Sequence, residues 1–414
     1  MLENFPNFVT RQVSRLVLDA LADTPVVVVN GARQAGKSTL IAELKIPSIE
    51  IVTMDNATQR AAAKRDPTTF VDRPNKVLAI DEVQRVPELL IAIKETVDRD
   101  RRPGRFLLTG STRLMSTPKL SETLAGRVEI IDLWPFSMAE TVGQTSNFID
   151  ALFNDSVQSL RPTLLTRNEY LEIVALGGFP EARQRSGIRR SRWFANYVTT
   201  VVERLADDVA SIERLHELPR LLQLCAARTA NEINIASLAN DIAIPARTLA
   251  TYLAHLQTVF LVQLLPAWST NLSGKVIRKP KLILTDTGLA SYLLGYDGIG
   301  LQEIEAPVGQ LLENFVAMEI KKFQPLASTE AELFHYRDRD GREVDLVLET
   351  RRGRVAGVEV KASRTVTVSD FRGLNAVALK LGKQFATGVV LYTGQETVQF
   401  GPSMFAMPIS SLWG

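Results

Sequence analysis

The stretch VVVVNGARQAGKSTLIAEL, residues 26–44, decides how the first third of this chain folds. Consecutive valines are apolar on both alternating faces, so they read as a strand buried in the middle of a parallel sheet. TLIAEL has the spacing of a helix, and between the two lies GARQAGKST, residues 31–39, a match to G-x-x-x-x-G-K-[ST]. Gly31 and Gly36 let the backbone wrap tightly. Successive N–H groups of Gly31, Ala32, Arg33, Gln34, Ala35, Gly36, Lys37, Ser38 and Thr39 can then face phosphate oxygens at a helix N-terminus. Lys37 is expected to reach the β- and γ-phosphates of ATP, and the Ser38 hydroxyl to ligate Mg2+. Arg33 either contacts phosphate or is an exposed loop arginine.

Working outward, IEIVT (49–53), KVLAIDE (76–82), RFLLTG (105–110) and VEIIDL (128–133) are further short apolar runs with helical stretches between them. That alternation predicts an α/β domain, a parallel sheet covered on both faces. Asp81 and Glu82 fall at the C-terminal edge of one such strand. Asp81 is placed to hold Mg2+ through water, and Glu82 to polarise an attacking water, which favours hydrolysis over mere binding. Thr109, at the end of the next strand, could set a hydroxyl between these acids and the γ-phosphate; a plain Ser/Thr turn is the alternative. Arg127 precedes the strand after that. It either neutralises transition-state charge, in cis or from a neighbouring subunit, or pairs with a surface acid or helix end.

The bulk numbers bound the rest. A chain of 414 residues has room for two to four domains. Its net charge of +2 neither demands nor excludes a nucleic-acid partner, so any such argument must rest on local clusters. The lone Cys225 excludes an intrachain disulfide and fits a reducing compartment. No apolar run approaches the roughly 18 residues of a membrane span, and MLENFPNFVTRQV lacks a signal-peptide core, so the expectation is a cytoplasmic protein.

The pattern divides at about 145 and 270. Residues 1–145 are the α/β region, 146–270 read as mostly helical, and 271–414 as α+β. In the middle region SLANDI, a turn at Ile244-Pro245 and ARTLATYLAHLQ have the rhythm of a helix-turn-helix. Its second helix offers only Arg247, with Thr248, Thr251 and Gln257, for DNA. An interdomain lid is the competing role. The basic run RQRSGIRRSRW (183–193) reads better as a solvated helical face than as a phosphate site. His216, His255 and His335 fit no metal-ligand spacing.

In EVDLVLETRRGRVAGVEVKAS (343–363), two alternating strands joined by an Arg/Gly turn carry Asp345, Glu359 and Lys361. Glu359 and Lys361, two apart, share a face. Apolar neighbours flank both acids, and burying a lone carboxylate is costly without a partner or metal. Asp345 and Glu359 could hold Mg2+ while Lys361 orients or deprotonates water, with Glu313 on a preceding helix as a further acid. Arginines 337, 339, 342, 351, 352 and 354 lie close by in sequence. The bland alternative is a scaffold with Glu359 and Lys361 as a surface pair.

Taken in order, GARQAGKST, MDN (54–56), DEVQ, LLTGS, LAGR, GGFPEA (177–182), KPKLILTDTGLASYLLG (279–295) and EVDLVLE…VEVKAS resemble the AAA+-like ATPases of bacteria and archaea. Those proteins carry a C-terminal domain of unknown function, a winged helix plus a nuclease-like region. The spacing Glu313…Asp345…Glu359-x-Lys361 resembles the PD-(D/E)xK restriction-endonuclease-like fold. The resemblance implies ATPase architecture, and with the acid–lysine set the expectation is a Mg2+-dependent nuclease-like module acting on nucleic acid, most naturally DNA; the alternative is a nucleotide-switched regulator that binds DNA or a protein and cuts nothing. A homo-oligomer is compatible with either.

Overall fold

The computed structural model describes residues 9–113, 124–145, 147–208, 215–269 and 279–414. The first eight residues and 121–123, the start of SETLAGR, lie outside them. The chain divides into two compact units: residues 9–136 with Thr258–Phe260, and residues 137–257 with 261–414. The helical middle and the C-terminal strands thus fall in one unit.

The first unit is built on five parallel strands: β1 (Val26–Gly31), β2 (Ile49–Thr53), β3 (Val77–Asp81), β4 (Phe106–Gly110) and β5 (Val128–Leu133). Their order is β2-β3-β4-β1-β5. Every residue of β1 and of β4 is buried, which is why those strands are apolar without alternation. One core joins Val26, Val28, Ile80 and Leu108 to Leu90, Ile93 and Val97 of the helix Glu88–Arg99. Each buried aliphatic side chain of this kind contributes about 1.5–3 kcal/mol relative to exposure. All strands point one way, so their C-terminal ends, and the loops that follow, gather on a single edge.

The second unit contains the helices Ile235–Ile242 and Ala246–Thr258, joined through Ala243 in the left-handed region (φ 59°). Next comes the antiparallel pair β6 (Val262–Leu265) and β7 (Lys281–Leu284). A mixed sheet follows, ordered β12-β13-β11-β10-β9-β8, with β8 (Ala331–Arg337), β9 (Glu343–Thr350), β10 (Val355–Lys361), β11 (Phe385–Tyr392), β12 (Val398–Gly401) and β13 (Met404–Pro408). The helix Val308–Phe323 packs on β10. The stretches GGFPEA and TDTG interlock: the Asp286 carboxylate accepts from Gly178 N at 2.6 Å and Leu289 N at 2.9 Å. A Cβ at Gly177, whose φ is +67°, would sit 2.3 Å from that carboxylate, so only glycine fits. Among the described residues no helix is long and apolar enough to cross a membrane.

Candidate functional sites

The phosphate-binding loop follows β1. A Cβ on Gly31 would lie 2.2 Å from the Leu133 carbonyl oxygen, so the close pairing of β1 with β5 demands glycine there. Gly36 (φ +100°) turns the chain into the short helix Lys37–Glu43. The Lys37 ammonium is buried and donates to the carbonyls of Gly31 (2.8 Å) and Ala32 (2.9 Å). Burial pushes its pKa down to about 8, against the pull of Glu82 and Asp81; Arg33 adds to the lowering. A buried ammonium with only backbone oxygens as hydrogen-bond partners gains a great deal when an anion arrives.

The acids lie where β3 ends. Ser38 Oγ donates to Asp81 Oδ2 at 2.9 Å, and Thr109 Oγ1 donates to Asp81 Oδ1 at 2.5 Å. The same Thr109 hydroxyl accepts from Glu82 N at 3.1 Å. Glu82 itself is left-handed (φ 57°), which turns its side chain away from the strand direction. Its Oε2 accepts from Ser111 Oγ (2.9 Å) and Gln84 Nε2 (2.5 Å). Ser38 and Asp81 are hard oxygen donors already within hydrogen-bond reach of each other, which suits Mg2+. The loop, Asp81, Glu82 and Thr109 therefore meet at one edge of the sheet. Composition gave no hint of Arg11, which ties the loop down by donating to Ala35 O (2.7 Å) and Trp134 O (2.6 Å).

Arg127 belongs to the opposite edge. It precedes β5, whose Val128 pairs with Val26 at the start of β1. A strand of this length puts it roughly 15 Å from the loop. Its guanidinium grips Asp98 on the helix Glu88–Arg99, with Nε and Nη2 each 2.6 Å from Oδ1. The expectation of a cis arginine at the γ-phosphate is corrected by the direction of the sheet; the surface-pair reading describes what Arg127 does. The same holds for much of the arginine-rich sequence. Arg351 pairs with Glu330, Arg337 with Glu343, Arg342 with Asp338 and Asp340, and Arg185 with Glu181.

In the second unit β9 and β10 form the expected hairpin, with Val358 opposite Leu346. Asp345 and Glu359 thus face each other on one side of the sheet. Both are buried. Asp345 Oδ2 accepts from Val360 N at 2.9 Å, and Lys361 Nζ donates to Glu359 Oε1 at 2.8 Å. Glu359 Oε2 is buried with no hydrogen-bond partner. Burial, then the charge of Asp345, push the Glu359 carboxyl up to about 7 against the pull of Lys361. Glu313, on the helix Val308–Phe323, also arrives at this point, and burial followed by Asp345 pushes its carboxyl well above the carboxylate range.

The arrangement differs from the sequence expectation in one respect. Lys281 of β7 enters the cluster, its Nζ 2.5 Å from Glu313 Oε1 and 3.4 Å from Asp345 Oδ1. Among the described residues no three His, Cys, Asp or Glu side chains are grouped to hold a metal ion. The expected Mg2+ on Asp345 and Glu359 therefore meets a site whose carboxylates already have an ammonium among them. The signal was present in KPKLIL: a lysine at the head of an otherwise apolar strand.

Comparison with known proteins marks three segments of the chain. Residues 23–142 match the model of an AAA domain, 167–299 a domain of unknown function (DUF8612), and 308–412 another (DUF4143). Uncharacterized proteins of Mycobacterium bovis and Mycobacterium tuberculosis are each 29% identical over 395 residues, covering 95% of this chain and 82% of theirs. Among solved structures, an ADP complex of Hsp104 from S. cerevisiae aligns with 62% of this chain and 40% of that one, at 15% identity and a TM-score of 0.30. A RuvB variant of Thermotoga maritima aligns with 63% and 92%, at 17% identity and a TM-score of 0.26. The chain combines an AAA+-like ATPase domain with a C-terminal domain of unknown function.

Proposed function

We propose that this chain is an ATP-hydrolysing switch whose nucleotide state controls a restriction-endonuclease-like C-terminal module that engages nucleic acid, DNA in the first instance. The observation that carries the first half is the Ser38–Asp81–Thr109 chain of hydrogen bonds beside the buried Lys37. Ser38 and Asp81 would hold Mg2+, which supplies charge neutralisation at the phosphates. Lys37 exchanges its carbonyl partners for phosphate oxygens. Glu82, released from Ser111 and Gln84, orients the attacking water. Ser111 passes the change along the chain: two residues later Arg113 N donates to Thr258 O at 2.9 Å, and its guanidinium lies 4.9 Å from the Phe260 ring centre. Thr258–Phe260 joins the helix Ala246–Thr258 to β6. The helix-turn-helix enters this proposal as the element so addressed, built as a winged helix with β6 and β7. A second copy supplying an arginine to the γ-phosphate is the form in which a homo-oligomer enters it.

ATP turnover with and without DNA, and DNA retention with and without ATP, test the reading. Turnover in wild type, its loss in Lys37→Ala, and ATP-dependent retention without cutting support it. Mg2+-dependent cleavage is the second reading, favoured by the unpartnered Glu359 oxygen beside Lys361. DNA or RNA cleavage that disappears in both Asp345→Ala and Lys361→Ala would put it first.

A further inference from the structure

The cluster in the second unit holds three carboxyls, Glu313, Asp345 and Glu359, and two ammonium groups, Lys281 and Lys361. Lys361 pairs with Glu359 at 2.8 Å. Lys281 stands between Glu313 and Asp345, in the position a bridging divalent ion takes between two carboxylates. We infer that Lys281 is the resident cation of this centre, occupying the divalent-metal position between Glu313 and Asp345.

The strand that carries Lys281 is built to keep it there. β7 pairs with β6 on one side. On the other, Ile233 N donates to Pro280 O (2.8 Å), Leu282 N to Asn231 O (2.9 Å), and Ala230 N to Leu282 O (2.7 Å). Its far end is clamped by the neighbour of Glu313. Asn314 Oδ1 accepts from Leu284 N at 2.7 Å while Asn314 Nδ2 donates to Leu284 O at 2.9 Å. Adjacent residues of one helix therefore hold both ends of β7, one by its ammonium and one by its backbone. The bonds along both edges of β7 fix the backbone of Lys281, and the ion pairs with Glu313 and Asp345 hold its ammonium at the position a metal would take. The side chain is itself only 7% exposed, so water does not screen the pairs.

The inference rests on reading this cluster as a restriction-endonuclease-like centre, and its consequence is measurable without catalysis. Removing the ammonium vacates the place between the Glu313 and Asp345 oxygens, a pair of hard ligands for Mn2+ or Mg2+. In nucleotide-free full-length protein, Lys281→Met is expected to melt lower than wild type in EDTA and to regain most of the loss in millimolar Mn2+. Calorimetric titration should show one Mn2+ bound at least about 10-fold tighter than in wild type, since a positive charge within 4 Å has been withdrawn. The double variant K281M/E313Q removes the excess charge, and should melt near wild type in EDTA with the Mn2+ response gone. Equal Mn2+ affinity in wild type and K281M overturns the inference, as does a K281M/E313Q protein that still gains the Mn2+ response. The ATPase site is common to all three proteins and cancels. ATP turnover and DNA retention on the same samples report the proposed function separately, so either can fail while the Mn2+ result stands.

Discussion

Two lysine-and-carboxylate centres in this chain use the same residue types with opposite electrostatic logic. At the phosphate-binding loop, Lys37 hydrogen-bonds only to backbone carbonyls, and burial lowers its pKa to about 8. In the C-terminal cluster burial also works against the charge of Lys281, but Glu313 and Asp345 outweigh it and hold the ammonium above the ordinary lysine value. The first centre carries an unsatisfied charge and waits for an anion. The second has neutralised itself from within. A chemically suggestive set of residues is therefore not yet a binding site; what matters is whether its charge is already spoken for.

Exchanging the two lysines' roles is the sharpest way to break that comparison. Lys37→Ala should reduce ATP turnover by roughly 1000-fold or more, because phosphate charge in the transition state loses its fixed partner. Its melting temperature should stay close to wild type, since no carboxylate is orphaned; steady-state hydrolysis and calorimetry together check both. Lys281→Met should do the reverse in the absence of metal, costing about 3–5 kcal/mol by leaving buried carboxylates unpaired while ATP turnover is retained. Denaturant titration in EDTA measures it. A Lys281→Met protein as stable as wild type would mean that the cluster tolerates its own repulsion, and the contrast would collapse.

Asn314→Ala refines the comparison. It leaves the charges alone but removes the fully buried side chain that holds both backbone groups of Leu284. We expect a loss of about 2–3 kcal/mol from the unsatisfied N–H and C=O. Arg127→Ala should have the smallest effect: a slight fall in melting temperature from the lost Asp98 pair, with ATP turnover per molecule unchanged at low protein concentration. A large drop in turnover there would restore Arg127 to the chemistry, and its dependence on protein concentration would say whether the arginine acts across subunits.

Much of the first unit was legible in the chain. All five strands lie within a residue of the apolar runs that announce them, because a strand buried on both faces needs no partner to show its pattern. The loop was legible because its chemistry is contiguous: glycines, lysine and serine are neighbours in sequence before they are neighbours in space. In the second unit the hairpin β9–β10 was readable for the same local reason, and Glu313 is named through the resemblance to the PD-(D/E)xK pattern. β11 and β13 carried no local signal beyond their apolar character. Asn314 and Lys281 matter only through what another segment brings to each of them.

What the sequence determined by itself is the set of groups available: a phosphate-binding loop, paired acids at a strand end, and an acid–lysine hairpin. Which of those groups face one another was decided only in three dimensions. Arg127 is at the wrong edge because parallel strands collect their C-terminal ends on one side and it stands at a beginning. Lys281 is in the carboxylate cluster because β7 is held along both edges and pinned by Asn314. Covalent neighbours can be read along a chain, but electrostatic energy depends on distance through space and on burial, and both are set by the packing of segments far apart in sequence.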